Sequence, residues 1–293
     1  MAKHSPDFYR EEVLSLTRLP TLPEIASEIL KITRDDRLSV RQMLPILEKD
    51  PPLALRVIKT ANSAYYGVRE KVESLGRAVV VIGMEELSYI ALSFSVFKML
   101  SPDGESGAIN WAKFWTHSMA CGHIARVINK RWGVTKASGL YAMGLMHDVG
   151  KLILFRLDPE LFTKTLNLIR SEQLTSLEGE QEIFGITHQD VGGWIAEKWE
   201  IPDSLRFALA AHRSPEEIEQ PELRGSISII RVADILCNYR GFRFGTGFLT
   251  EIPKDESAIK FFKSQLGEES DLDSLTMIID EEIDNIKELA KLM

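Results

Sequence analysis

The chain has 293 residues, of which 43 are acidic and 35 are basic, and its net charge is −8 with histidine neutral. A content of 44% hydrophobic and 27% charged residues is typical of a packed globular protein, and it excludes the intrinsically disordered and fibrous classes. Since domains usually span roughly 100–200 residues, the length favours two modules or one large helical unit.

The negative charge is concentrated at the C-terminus. Ser264–Met293 contains nine acidic and two basic residues, which leaves 34 acidic and 33 basic residues in the rest of the chain. The body is therefore nearly neutral, and it lacks the clustered basic residues that binding to a phosphate backbone requires. We expect no nucleic-acid partner.

The chain has no apolar stretch of the ~18–20 residues that a bilayer crossing requires. Met1–Glu12 alternates charged residues and lacks the apolar core of a secretion signal. Cys121 and Cys237 lie in apolar helical patterns, which is typical of buried thiols in a reducing compartment rather than of a disulfide framework. We therefore expect a cytoplasmic protein with no membrane contact.

Apolar residues recur at helical spacing along almost the whole chain, and no two-residue alternation is long enough to predict a sheet. The pattern predicts an all-α fold. Helix start signals include Ser39 with Gln42, Asp50 before two prolines, and Thr187 with Asp190. Helices are predicted over Glu24–Thr33, Val40–Lys49, Pro51–Asn62, Ser74–Ile82, Glu85–Met99, Trp111–Arg131, Lys136–Met146, Pro159–Arg170, Ser176–Phe184, His188–Lys198, Ser204–His212 and Gly225–Tyr239, and from about Leu272.

Three regions follow from this pattern: an N-terminal helical module over residues 16–105, a second helical module over 106–240, and a tail over 241–293. The polar, breaker-rich segment Ser101–Gly107 marks the first boundary. The tail combines a Gly- and Phe-rich stretch with an acidic helix. We expect this helix to pack on the body, with dimerisation or partner binding as the alternative. Buried loop packing is the default for Phe242, Phe244 and Phe248, and a lid or interface is the alternative.

The His147-Asp148 doublet carries the most chemical information. One imidazole nitrogen and two carboxylate oxygens on adjacent residues can bind the same divalent ion, and an aspartate can also bridge two ions. Further ligands must come from other helices. The candidates that lie on or at the end of a predicted helix are His117, His188, His212 and Asp234.

Each candidate has a simpler alternative. His188 and His212 lie at helix ends, where a histidine can cap the helix or face solvent. Lys151 lies one turn after Asp148, where it can hold a substrate phosphate or can simply be a solvated lysine. His123 lies on an apolar helix face and is more readily explained as a hydrogen-bonded residue than as a ligand.

Ordered motifs along the chain resemble those of a known family. Trp115–Ser118, His147–Lys151 and Arg231–Ile235 look like the first histidine, the His-Asp doublet and the final aspartate of the HD metal-dependent phosphohydrolase superfamily. Other segments resemble the bacterial HDOD domain, the HD-related output domain, and they are Leu19–Pro23, Asp50–Ala54, Ala61–Tyr65, Glu182 with Gly185–His188, and Trp199–Pro202. The resemblance extends roughly from Leu16 to Asp234.

The resemblance implies a multi-helical HD-like bundle preceded by a smaller N-terminal helical module. It also implies a bacterial signal-transduction output protein that acts mainly through a signalling protein partner. Unlike many HDOD domains, this chain keeps all four superfamily ligands, which are His117, His147, Asp148 and Asp234. His188 and His212 are similar in position to the extra histidines of HD-GYP phosphodiesterases. The GYP loop is missing, and Arg213 stands where HD-GYP domains have a second histidine.

The retained ligands also support an alternative function. A metal-dependent phosphohydrolase or phosphodiesterase would act on a phosphorylated nucleotide or cyclic dinucleotide through metal-activated water. Asp148 would bridge the metals, and Lys151 or Arg213 would steady the phosphate oxygens. The centre would be mono- or binuclear, and imidazole and carboxylate ligands suit iron, manganese, zinc and nickel alike.

Overall fold

The computed structural model describes residues 4–15, 23–33, 39–63, 66–100, 110–244, 259–260 and 272–290. Within these ranges every regular element is helical, which confirms the all-α prediction. The α-helices are α1 (Pro6–Ser15), α2 (Glu24–Thr33), α3 (Val40–Glu48), α4 (Pro51–Ala61), α5 (Leu75–Ile82), α6 (Met84–Leu100), α7 (Trp111–Trp132), α8 (Leu140–Met146), α9 (Val149–Leu157), α10 (Pro159–Glu172), α11 (Ser176–Ile183), α12 (His188–Lys198), α13 (Asp203–Ala211), α14 (Pro221–Tyr239) and α15 (Leu272–Ala290).

Helix starts agree with the capping signals in the sequence. The carboxylate of Asp50 accepts a hydrogen bond from the backbone N–H of Leu53 at 3.1 Å and caps α4. Thr187 and Asp190 form a reciprocal capping box at the start of α12. Ser39 caps α3 through the N–H of Arg41, without the box partner that the sequence suggested. These caps satisfy backbone donors that a helix leaves unpaired at its first turn.

Two features differ from the prediction for physical reasons. The helix predicted from Lys136 begins only at Leu140, because Gly139 has a φ of 84° and donates its N–H to the partly buried Glu86 carboxylate at 2.5 Å. Helices α1 and α9 were not predicted. In α9 every residue except Arg156 is buried, so the segment has no polar face and no helical period.

Helix α7 lies at the centre of the fold. It packs against α8, α14 and α15, while α12 packs against α9 and α13. Helices α2–α6 pack among themselves, and α6 is in contact with α8 and α9. Because α6 is buried along most of its length, it links the N-terminal helices to the rest of the core.

Backbone contact between α7 and α8 depends on two glycines. A Cβ atom on Gly144 would overlap the backbone of Gly122, and a Cβ atom on Gly122 would overlap the backbone of Tyr141. The two helices therefore approach more closely than side chains would allow. This approach brings His117 of α7 beside His147, which follows α8.

Helix α15 packs on the body, as expected from its apolar stripe. Its buried residues are Leu275, Ile278, Ile279 and Ile286. Acidic residues also face the body, since Glu282 lies 2.7 Å from Nε2 of the buried His123 and Asp280 lies 2.5 Å from Arg240. Charge pairing and apolar burial thus both hold this helix.

Several predictions fall on residues outside the described ranges. These are the linker Ser101–Gly107 with its boundary at 105/106, the start at Leu16, and Phe248. The division into modules therefore stays a prediction. Phe244 is described and packs edge-on against Phe114, with 4.9 Å between ring centroids. In the described part of the chain no single helix meets the length and apolarity of a membrane span, and α5 and α6 meet them only when taken together across a bend of 114°.

Gly150 generates a stability prediction. A Cβ atom at this position in α9 would overlap the carbonyl oxygen of His188, whereas a Cβ atom on Gly76 in α5 meets no atom within 4 Å. We expect Gly150→Ala to lower the free energy of unfolding by about 1–3 kcal/mol through overpacking. The matched control Gly76→Ala should raise it by about 0.5–1 kcal/mol, because alanine restricts the unfolded chain. Urea denaturation of both variants measures this, and equal stability of Gly150→Ala and the parent protein contradicts the close-approach argument.

Candidate metal centre

The structure brings together all six predicted metal ligands. His117 lies in α7, the His147-Asp148 doublet in the turn between α8 and α9, and Asp234 in α14. His188 is the first residue of α12, and His212 directly follows α13. None of the six is more than 1% exposed to solvent, so the alternative of solvent-facing histidines does not hold. His212 does cap α13 through Nδ1, which leaves its Nε2 directed at the other ligands.

One group of donors forms what we call the first half-site: His117 Nε2, His147 Nε2, Asp234 Oδ1 and Asp148 Oδ2. The two Nε2 atoms are 3.3 Å apart. Asp234 Oδ1 lies 3.4 Å from Nε2 of His117 and 3.9 Å from Nε2 of His147. Asp148 Oδ2 lies 3.5 Å and 3.4 Å from the same two atoms. Both carboxylate oxygens thus lie within 4 Å of both Nε2 atoms.

The remaining donors form the second half-site: His188 Nε2, His212 Nε2 and Asp148 Oδ1. The two Nε2 atoms are 3.4 Å apart. Asp148 Oδ1 lies 3.5 Å from Nε2 of His188 and 3.7 Å from Nε2 of His212. The carboxylate of Asp148 therefore presents one oxygen to each half-site, which is the arrangement expected of a bridging ligand.

Hydrogen bonds fix the tautomer of all four histidines. Each Nδ1–H donates to an oxygen that can only accept. For three of the rings the acceptor is a backbone carbonyl: Phe242 for His117 at 2.8 Å, Gly144 for His147 at 2.7 Å and Ala208 for His212 at 3.0 Å. For His188 the acceptor is the carboxylate of Glu180, at 2.6 Å. In the neutral ring, Nε2 then carries a lone pair and no hydrogen. When both rings of a pair are neutral, their Nε2 atoms place lone pair against lone pair, and a cation between them, either a metal ion or a proton, removes that repulsion.

The donor spacings fit a divalent metal ion. Two imidazole nitrogens bound tetrahedrally at the usual metal–nitrogen distance are about 3.3–3.4 Å apart. The measured separations of 3.3 Å and 3.4 Å agree with this spacing. Asp148 Oδ1 supports the same interpretation, because it is buried and accepts no hydrogen bond among the described residues. A buried carboxylate oxygen without a donor requires a compensating positive charge.

Electrostatics keep both carboxylates ionised. Burial alone would raise the pKa of Asp148, but the charge of Lys151 and contacts with His147 and His117 hold that pKa well below its ordinary value. Burial also opposes ionisation of Asp234, and the charge of Arg213 outweighs it, so the pKa of Asp234 is likewise far below its ordinary value.

The histidines differ in their response. Burial and the neighbouring His147 and His188 hold the pKa of His212 well below its ordinary value, so its imidazole is neutral and suited to metal binding. At His117, burial acts in the same direction, but contacts with Cys121 and with the carboxylates of Asp148 and Asp234 raise its pKa well above the ordinary value. The first half-site therefore attracts positive charge.

Cationic side chains border the first half-site. Lys151 is 3% exposed, and its Nζ lies 2.6 Å from Asp148 Oδ2, so this lysine is not the solvated residue of the alternative interpretation. Arg231 lies 2.7 Å from Asp234 Oδ2, and Arg213 lies 3.4 Å from the same oxygen. Asn238 donates to Asp234 Oδ1 at 2.5 Å. These contacts orient the carboxylates and place positive charge where an anion could approach.

Sequence reasoning missed the residues that support the ligands. Glu180 accepts from both Nδ1–H and the backbone N–H of His188, at 2.6 Å and 2.8 Å. The sequence motif drew attention to Glu182 instead, which is exposed. Cys121 was interpreted only as a buried thiol, although it lies four residues after His117 and therefore on the same helix face. That spacing was the available signal.

Glu180 provides a test of ligand orientation. Glu180→Ala removes the acceptor that fixes the tautomer of His188, and we expect it to weaken Mn²⁺ binding at the second half-site by about 10–100-fold. Glu182→Ala is the matched control, since it removes an exposed carboxylate from the same helix, and it should leave affinity unchanged. Calorimetric titration of metal-free protein measures both. Equal affinities for the two variants would show that Glu180 does not support a ligand.

The fold of this chain is similar to that of several proteins of known structure. A crystal structure of an HDOD domain protein of unknown function from Geobacter sulfurreducens aligns with a TM-score of 0.72 and 25% identity, covering 96% of this chain and 97% of that one. A Shewanella amazonensis structure, named as a candidate metal-dependent phosphohydrolase, aligns with a TM-score of 0.63 and 19% identity over 98% of each chain, and this likeness concerns the fold alone.

A curated but uncharacterized protein of Treponema pallidum is 22% identical over 263 residues, covering 85% of this chain. The chain spans about half the length of that relative, 47% of it. The sequence profile of the HDOD domain matches residues 19–215, which include five of the six ligands, all except Asp234. By this match over most of its length, the chain belongs to the HDOD family.

Proposed function

We propose that this HDOD protein is a bacterial signal-transduction output protein with a binuclear divalent-metal centre, acting mainly through a protein partner. The observation that carries the proposal is a pair of Nε2–Nε2 contacts, at 3.3 Å between His117 and His147 and at 3.4 Å between His188 and His212. Each contact lies beside a different oxygen of the Asp148 carboxylate. Four oriented lone pairs and two carboxylates that converge in the core are costly unless cations bind there.

The origin of the ligands explains how metal binding would affect the whole protein. They come from α7, the α8–α9 turn, α12, the end of α13 and α14, so two bound ions that share Asp148 would together join five parts of the bundle. Binding to the folded state alone stabilises that state by mass action, by about 2.7 kcal/mol at a hundred times the Kd. Metal occupancy would thus control the rigidity of the core, and through the core the rigidity of the surface that a protein partner contacts.

Burial of the centre favours output over turnover. Each ligand is at most 1% exposed, so a phosphorylated substrate has no direct route to the donor atoms in this conformation. A structural relative from Marinobacter aquaeolei, named as a candidate signal transduction protein, shares the fold with a TM-score of 0.68 and 24% identity. This chain covers 60% of that protein, so the whole protein's role is not carried over.

Phosphoester hydrolysis is the second candidate, and the buried Lys151 is the observation that favours it. Its ammonium group lies on the bridging carboxylate, where it could hold a phosphate oxygen beside the centre. Arg213 and Arg231 add two guanidinium groups near Asp234. Divalent cations, when bound, supply activated water and screen the charge of the phosphoester.

Asp148→Asn tests the proposed centre. The substitution removes the shared negative charge while keeping the side-chain shape, so we expect metal content after Mn²⁺ or Fe²⁺ loading to fall from binuclear stoichiometry to below one ion per chain. The parent protein should gain thermal stability on metal addition, and the variant should not. Asp203→Asn, at an exposed carboxylate in α13, is the control. Elemental analysis measures the metal content, and thermal unfolding measures the stability. A parent protein that binds no stoichiometric metal would contradict the proposal.

Lys151→Gln separates the two candidates. If the protein hydrolyses phosphodiesters, the variant should keep its metal content and lose turnover, because the ammonium group acts on the substrate rather than on the metal. Hydrolysis of bis(p-nitrophenyl) phosphate and of cyclic dinucleotides with added Mn²⁺ or Fe²⁺ measures this. Metal-loaded parent protein without turnover on any of these substrates would count against hydrolysis and leave the output function.

A further inference from the structure

We infer that the groove between α10 and α11 docks a basic amphipathic helix of a protein partner. The inference deepens the proposed function and rests on it in one respect, since it names the kind of partner through which the output would pass. The groove is lined by residues of α10, of the turn that follows it, of α11 and of the residue that caps α12.

The groove has an apolar lining. It has a volume of about 690 Å³ and opens to solvent, and Leu168, Leu174 and Leu177 line it while only partly buried. Leucine side chains that face an open groove between two helices lose water contact when the apolar face of a third helix packs there. Every regular element in the described ranges is helical, so no strand edge competes as a peptide-docking surface there.

The polar part of the lining is acidic. Glu172, Glu178 and Glu182 are exposed and line the groove, and its described lining includes no lysine or arginine. The backbone N–H and the hydroxyl of Thr175 each donate to the Glu178 carboxylate at 2.8 Å, which fixes that carboxylate and holds its pKa below the ordinary value. Three carboxylates around an apolar surface attract a helix that carries lysine or arginine and repel an acidic one.

Close packing of α10 against α11 preforms the groove. The two helices are in contact along their length, and a Cβ atom on Gly179 of α11 would overlap the buried side chain of Ile169 in α10. Their separation is therefore fixed in the core beneath the groove. A preformed groove lowers the ordering cost of binding, so the partner helix pays chiefly for its own immobilisation.

The position of the groove connects docking to the metal centre. Thr187 lines the groove, caps α12 and directly precedes His188. Gln181 also lines the groove and directly follows Glu180, which accepts the Nδ1–H of His188. A docked helix would thus contact both segments that hold His188 in the second half-site.

A designed peptide tests the inference. The probe is a fluorescein-labelled helix of about 14 residues with leucines on one face and lysines on the other. We expect it to bind the full-length protein, and Leu177→Ser or the pair Glu172→Lys and Glu182→Lys to weaken binding by about 10-fold or more. The matched control pair is Glu160→Lys and Glu197→Lys, which reverses two exposed charges outside the groove and should leave affinity unchanged. Fluorescence anisotropy measures all four proteins.

The same titration has outcomes that overturn the inference. Equal affinity of the groove variants and the control pair would show that the peptide binds elsewhere by charge alone. Tighter binding of a peptide with glutamate in place of lysine would contradict a basic partner. A parent protein that sediments as a dimer and becomes monomeric in Leu177→Ser would identify a second copy as the occupant instead.

Two further measurements keep the test decisive. If the variants do not fold, hydrogen exchange of the parent protein replaces them: the bound peptide should protect amides of α10 and α11, and protection confined to the acidic α15 would refute docking in the groove. Metal content is measured on the same samples. Groove-dependent binding without stoichiometric metal would support docking and contradict the metal centre, whereas stoichiometric metal without groove-dependent binding would overturn docking alone.

Discussion

The structure depends on one constraint, which is that four imidazole Nε2 atoms and two carboxylates converge in the core, where Asp148 Oδ1 has no hydrogen-bond donor among the described residues. Four imidazole lone pairs and the two oxygens of Asp148 meet where the ligands are at most 1% exposed. In such surroundings an unpaired acceptor costs free energy that neither water nor a nearby N–H offsets. A cation removes that cost, and metal binding, helix packing and function are linked through this one cluster.

The surrounding helices are shaped so that the cluster can form. Gly122 and Gly144 let α7 and α8 touch backbone to backbone, and Gly150 lets α9 approach the carbonyl of His188. Each contact restricts the position of a neighbouring ligand, because a backbone contact leaves less freedom than one between flexible side chains. These three glycines thus serve the metal centre through packing.

The helical organisation could be predicted from the sequence because it depends on local signals. The bounds of α2 and α12 agree with the periodicity and capping signals, as does the cap formed by Asp50. Prediction failed at α9, because burial on all sides leaves no alternation of apolar and polar residues at helical spacing. It also failed at the start of α8, where the distant Glu86 accepts a hydrogen bond from the N–H of Gly139. In both places tertiary contact outweighs local preference.

The sequence by itself determined the helical class and the identity of six candidate ligands, because helical spacing and residue chemistry are written along the chain. Only the tertiary structure decided how the donors pair, which oxygen of Asp148 serves each half-site, and that Cys121 lies beside them. The tautomer of His117 shows why: its acceptor is the carbonyl of Phe242, 125 residues away. A lone pair's direction depends on hydrogen bonds between remote segments, and no local pattern records those.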